Sequence, residues 1–334
     1  MRSRLMVSML GVATLSVATL GSAAFAETPK QQHLNPVIGL LEQGQPVMGL
    51  YRPSNRGHNG MPNPGAQKSQ LELAQETVAN KSSDFVFDGS MEGNFDTAFT
   101  DFAEFAAALK QAGPLSSKPY PHIAHPMVTK IPLIAKDPAK AVTHISQQLN
   151  LGVSGVMFVG VESADEVKQG LAAMRFKSNG GTRPDAVGTA PAFWGLSEKE
   201  YRQKADVWPL NPKGELINWT IVESKEGLKH VREIAAVKGI GVLWPGAGTL
   251  RQVFSTVGPD GKRVVDQAAW ENAIQQVLSA CKEFHVPCGF PATPDDIEMR
   301  MKQGFSVFVM GWGDTGFKAA EMGRKAANRP ATND

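Results

Sequence analysis

Apolar residues in this chain gather in short runs separated by longer amphipathic stretches. Eight of the runs have strand character: PVMGLY (46–51), DFVFDG (84–89), PMVTKI (126–131), GVMFVGV (155–161), INWTIVE (217–223), GIGVLW (239–244), VPCGFP (286–291) and FSVFVMGW (305–312). They are rich in β-branched and aromatic residues and bounded by turn formers. Between them, spacing of three and four predicts helices over 69–80, 97–111, 137–150, 163–174, 225–236, 266–284, 294–302 and 315–327. Several open on start signals, among them Asp137-Pro138, Ser163 with Glu166, and Thr293-Pro294-Asp295. Strand and helix in regular alternation predict an α/β fold, a (β/α)8 TIM barrel, with a doubly wound open sheet as the alternative.

Two connections exceed ordinary loops. Residues 52–68 follow the first strand and belong over the C-terminal mouth of a barrel, where function usually sits. Residues 175–215 join the fourth helix to the fifth strand and read as a structural cover or an oligomer contact.

The first 26 residues are of another kind. Arg2 and Arg4 precede the apolar, small-residue run LMVSMLGVATLSVATLG, which closes on Ala24-Phe25-Ala26. That pattern is a secretory signal; an uncleaved anchor is the alternative, but the run is short and diluted with Ser, Thr and Gly. The expectation is an exported, periplasmic or secreted protein whose mature domain, a single barrel, covers 27–334.

Losing Arg2 and Arg4 takes the formal net charge from +2 to about zero. No basic field remains for nucleic acid or an anionic membrane, so the expected partner is a small molecule. An oxidising compartment allows a disulfide between Cys281 and Cys288, and two inert buried thiols are the other reading. No G-x-S-x-G elbow, His-Glu-x-x-His helix or P-loop competes for the chemistry.

The order of the segments resembles the HpcH/HpaI aldolase (citrate lyase-like) family. The likeness is carried by LNPVIGLLEQGQPVMGL (34–50), DFVFDGSMEGN (84–94), the stretch from TKIPLIAKD to GLAAMRF (129–176), TIVESKEGLKHVREIAAVKGIGVLWPGAGTL (220–250) and GFSVFVMGWGDTG (304–316). The resemblance implies a TIM barrel of the pyruvate/phosphoenolpyruvate-aldolase type and a homo-oligomer with exchanged C-terminal helices. It implies a carbon–carbon lyase in which a divalent cation, magnesium or manganese, stabilises an enolate during retro-aldol cleavage of a small hydroxy-keto acid.

On that pattern Glu223, at the end of NWTIVE, is the metal-ligating Glu, against the simpler reading of a surface Glu opening a helix. The second ligand position, an Asp in the family's Gly-Pro-x-Asp-Leu turn, falls on Thr249 of Gly246-Ala247-Gly248-Thr249-Leu250. Thr249 is neutral, so a metal there loses a negative charge. The family's Met-Glu-His reads Met91-Glu92-Gly93, and its Arg-x-Pro reads Lys130-Ile131-Pro132. Lys130 keeps the positive charge without the guanidinium fork and is the candidate electrophile, or an exposed strand-end lysine.

Glu92, with Asp88 beside it, is the candidate replacement ligand or base. Arg52 and His58 are candidate substrate contacts on the first long connection, and Gly246 and Ala247 offer backbone amides to an anion. Asp314 matches a family Asp and orients substrate or caps the last helix. His122 and His125 precede their strand and belong at the opposite end from Lys130. The three altered positions also admit a non-catalytic binding barrel, or changed lyase or hydrolase chemistry on the same scaffold.

Overall fold

The computed structural model describes residues 32–56, 67–113 and 122–333. The signal at 1–26 and His58 lie outside the described residues. Eight parallel strands make the frame: β1 Val47–Tyr51, β2 Phe85–Asp88, β3 Met127–Ile131, β4 Gly155–Phe158, β5 Leu216–Val222, β6 Ile240–Pro245, β7 Gly289–Pro291 and β8 Val307–Met310. Each of the eight runs read from the sequence overlaps one of them. Pairing runs β7-β8-β1-β2-β3-β4-β5-β6, and a single bridge between Leu243 and Cys288 returns β6 to the segment entering β7. Leu243 N–H donates to the Pro287 carbonyl at 3.0 Å across that seam. The ring is closed, so the barrel holds and the open-sheet alternative does not.

Alternation along each strand builds two cores. Val47, Phe85, Val128, Trp219, Trp244 and Val307 belong to the cluster inside the barrel. Their strand neighbours, such as Met48, Val86, Met127 and Phe308, pack outward in the cluster beneath the helices. Large rings inside the barrel need small neighbours. A Cβ on Gly49 would lie 2.1 Å from the Phe85 ring, and one on Gly289 would lie 2.0 Å from Trp244. The freed space lets Trp219 stack on Trp244 with centroids 5.5 Å apart and take Phe85 edge-on at 5.2 Å.

The lower end is closed by a helix absent from the sequence expectation, Pro36–Glu42, capped by the Asn35 side chain. Its Val37 and Ile38 are fully buried and enter the inner cluster. The 175–215 connection is a cover: it forms the helices Ala190–Trp194 and Glu198–Lys204 and the two-residue strand Val207–Trp208 on the edge of β5. Its own Trp194 and Tyr201 are fully buried.

Three helices depart from expectation. The 225–236 stretch is two short pieces, Lys225–Lys229 and Val231–Ala235, meeting at His230. The helix expected from 294 is regular only from Ile297, preceded by a turn in which the Thr293 carbonyl accepts the Ile297 N–H at 3.0 Å and the Asp296 carboxylate accepts the Thr293 N–H at 2.7 Å. After β6 come the helix Ala247–Val253 and a hairpin of Ser255–Val257 with Arg263–Val265 before the long helix Gln267–Phe284.

Cys281 and Cys288 are joined in a disulfide, their Cα atoms 5.7 Å apart. The C-terminal helix Asp314–Ala326 lies on its own barrel, and the residues after it return to the base of β2. There Arg324, Arg329 and Asn333 converge on the buried Asp84, whose other oxygen accepts the Met48 N–H at 2.8 Å. A buried carboxylate needs this many donors to remain charged.

Candidate active site

Strand parity decides which side chains reach the upper mouth. Lys130 is in register with Met157, an inner-cluster residue, so its side chain rises inside the ring. Glu223 follows inner Ile221 by two residues and takes the same face at the end of β5. Tyr51 continues the face of Val47 and Gly49. Asp88 has the opposite parity, on the face of Val86, and points out towards the helices.

Asp88 therefore meets the mouth only at its wall. It is 3% exposed and pairs with Arg52. Arg52 also reaches Asp101 and lies over the Phe105 ring at 5.0 Å. Two carboxylates hold its Nε and Nη2, while Nη1 has no hydrogen-bond partner among the described residues and the side chain lines the wall of the mouth. The Oδ1 atom of Asp88 also accepts the Ser90 N–H at 2.7 Å and starts the turn Ser90–Glu92. That turn carries Glu92 back over the mouth, where Oε2 lies 2.7 Å from Lys130 Nζ.

Glu223 is half-buried, and its Oε1 accepts the Gly160 N–H at 2.9 Å. Burial raises its pKa above the ordinary carboxylate value, opposed by the Thr249 hydroxyl beside it; the Glu92 charge raises it further while the Lys130 ammonium and Gly160 N–H lower it. Gly246 is required for sterics: a Cβ there would lie 2.4 Å from Glu223 Cβ and 2.6 Å from Oε2. The Gly246 N–H is occupied by the Val222 carbonyl at 3.0 Å, and the buried Ala247 carbonyl accepts the Trp270 indole N–H at 2.8 Å. Of the two amides expected to meet an anion, that of Gly246 is thus taken, and the turn fits tightly around Glu223.

Tyr51 is a site residue that the sequence pattern did not single out. Its pKa is pushed up to about 12 by burial and by the carboxylates of Glu92 and Asp88, so it stays a neutral phenol at the floor of the mouth. The alternation Val47, Gly49, Tyr51, which ends on the inner face at the top of a barrel strand, is the signal that could have found it. A cavity of about 1070 Å³ opens above β1 to β3, bounded by Tyr51, Arg52, Glu92, Asp101, Lys130 and Trp312. Arg56 and Gln67, from the two ends of the first long connection, also line it.

Asp314 does not join these groups. It is exposed, and Gly313 is the N-cap with no side-chain bond, so the carboxylate meets the helix only through its first-turn dipole. His125, before β3, is driven down to about 4 by burial and by the charges of Lys81 and His122, and remains neutral away from the mouth.

The donor set is a poor match for a resident divalent ion. Hard cations need several oxygen ligands with matching negative charge. Glu223 is one carboxylate with an oxygen already bonded to backbone, Thr249 brings no charge, and the Glu92 carboxylate is neutralised by Lys130. Among the described residues no group of three or more His, Cys, Asp or Glu could hold a metal.

A sequence model described as HpcH/HpaI aldolase/citrate lyase matches residues 124–316. The chain is 26% identical over 159 residues to the hydroxypyruvate/pyruvate aldolase of Paraburkholderia phytofirmans (strain DSM 17436 / LMG 22146 / PsJN), covering 47% of this chain and 56% of that protein. It is 26% identical over 170 residues to the 2-dehydro-3,6-dideoxy-6-sulfogluconate aldolase of Pseudomonas putida, 48% of this chain and 58% of the relative. The matches thus span less than two thirds of these curated relatives. A crystal structure of an HpcH/HpaI aldolase/citrate lyase family protein from Burkholderia cenocepacia J2315 superposes with a TM-score of 0.61 at 20% identity, covering 83% of this chain and 92% of that one. That likeness carries the fold.

Proposed function

We propose that this chain, which belongs to the HpcH/HpaI aldolase/citrate lyase family, is an exported carbon–carbon lyase that cleaves a small hydroxy-keto acid by a retro-aldol step. The observation that carries the reading is the gathering of one ammonium and two carboxylates, Lys130, Glu92 and Glu223, at the upper mouth of the barrel. Retro-aldol cleavage removes the proton of a hydroxyl β to the keto group. The carbon–carbon bond then breaks to release an aldehyde, and the electron pair is left as an enolate whose oxygen carries the charge.

Lys130 supplies positive charge where that oxygen forms. Glu92 positions the ammonium, and Glu223 accepts the hydroxyl proton and returns it to the enolate carbon. A carboxylate with a raised pKa suits both halves of that transfer near neutral pH. The Tyr51 phenol is a second donor to the substrate carbonyl. No step is assigned to a metal, because the described donors do not match one.

Export is supported by the residues before Glu27 and by the Cys281–Cys288 bridge, a bond that persists in oxidising compartments. Among the described residues no helix is long and apolar enough to cross a membrane.

The test is a panel of 4-hydroxy-2-keto acids with the purified mature chain, with release of pyruvate or another 2-keto acid coupled to NADH oxidation. Turnover that falls in Lys130→Gln and Glu223→Gln supports the reading. No turnover by folded wild type on any member of the panel overturns it. Binding of those acids without turnover would favour a binding barrel, the alternative suggested by Gly93 and Thr249 at positions the family uses for chemistry.

A further inference from the structure

We infer that this barrel binds the 2-oxo-acid group and its enolate without a resident divalent ion, the Lys130 ammonium serving as the cation of the site. The inference rests on the lyase reading for the reaction, though not for the binding it predicts.

Three independent placements support it. Lys130 enters the ring by strand parity, in register with Met157, and its Nζ is held 2.7 Å from Glu92 Oε2 over the mouth. An ammonium held here offers its remaining N–H donors to the same electron-rich oxygens a metal would coordinate. Glu223 is turned into the protein: Oε1 is on the Gly160 amide, and the other carboxylate oxygen lies against Gly246, where even a methyl group would come within 2.6 Å. With Oε1 engaged by backbone, only the other oxygen is left, enough for one substrate proton but not for a two-oxygen grip on an ion.

The third placement is Thr249, exposed beside Glu223 at the position where the family pattern has an acid. Ion binding at this mouth would therefore draw on one pinned carboxylate, one paired with an ammonium, and a neutral hydroxyl. Divalent sites of usable affinity need more negative charge than that. The ligand class is a planar 2-oxo carboxylate, with its keto oxygen, or the enolate oxygen derived from it, on Lys130. Oxalate, a planar dianion with the enolate's charge distribution, is the probe.

The experiment uses the full mature chain freed of metal with EDTA. Calorimetric titration with Mn2+ alone should show no saturable binding up to about 1 mM. Oxalate titrated in EDTA should bind saturably, about ten- to hundred-fold more weakly in Lys130→Gln, with part of the affinity kept in Lys130→Arg. Circular dichroism melting of each variant separates lost binding from lost folding. Stoichiometric Mn2+ uptake that disappears in Glu223→Gln overturns the inference, as does oxalate binding that requires Mn2+. Oxalate binding through Lys130 in a protein that cleaves nothing on the panel leaves the inference standing and removes the lyase reading. Metal-dependent cleavage does the reverse.

Discussion

Replacing Cys281 and Cys288 together by alanine should cost this barrel about 2.5 kcal/mol. The bond closes a loop of separation 7 in sequence; the chain-entropy relation for so short a loop gives a loss of about 8 cal/mol/K, hence the ~2.5 kcal/mol at room temperature. Unfolding about 300 residues carries an entropy of roughly 0.6 kcal/mol/K, so the melting temperature should fall by about 4 °C.

The location adds a local expectation. Every other pair of neighbouring barrel strands shares at least three register partners, whereas β6 and β7 meet through the Leu243–Cys288 bridge. The disulfide anchors Cys288 to the end of the helix Gln267–Phe284 and so holds the weakest seam of the ring. Calorimetry of wild type, reduced wild type and the double variant measures the global effect. Hydrogen exchange at the Leu243 amide, which donates across the seam, measures the local one, and it should accelerate more than amides in the β1–β2 pair. Two titratable thiols in unfolded but unreduced protein, or a melting temperature unchanged within about 1 °C in the variant, would refute the reasoning.

Other substitutions address the site and the packing beneath it. Glu223→Gln should lower turnover by about 100-fold or more while changing how stability depends on pH. The raised pKa of Glu223 means the folded chain holds that proton more tightly than the unfolded one. The contribution is therefore present below the ordinary carboxylate value and lost as pH rises through the folded one. Urea melts of wild type minus variant should show that fall, and a difference that grows with pH would contradict it. Thr249→Asp should raise Mn2+ affinity above that of wild type, seen by calorimetry; no gain in a folded variant would show that Thr249 is not what lowers affinity. Gly289→Ala puts a methyl group 2.0 Å from the Trp244 ring and should cost about 1–3 kcal/mol in denaturant unfolding, with Trp fluorescence shifted as the Trp219–Trp244 stack moves.

The barrel was legible because its signal is local and repeated. A strand buried on both faces reads as a short apolar run, and each of the eight runs overlaps a strand. The helix Pro36–Glu42 was not legible, because seven residues of mixed pattern become a helix only when Val37 and Ile38 find the open lower end of the barrel to fill. Thr293-Pro294-Asp295 was a sound start signal: the Thr293 N–H bonds the Asp296 carboxylate, and the regular helix follows from Ile297.

The family resemblance singled out Lys130 and Glu223, with Glu92 as a stand-in carboxylate, and marked Thr249 and Gly93 as departures from the pattern. Sequence could not say that Asp88 and Arg52 would pair at the wall of the mouth while Glu92, four residues after Asp88, swings back to Lys130. Adjacent strand positions face opposite ways, and one turn reverses the chain, so neighbours in sequence part in space. Period and composition, which act over a few residues, determined the barrel and the end of it where chemistry sits. Which charges meet, which pair with one another, and how tightly Gly246 encloses Glu223 depend on groups 23 to 63 positions apart. Only the closing of the ring brings those groups within bonding distance.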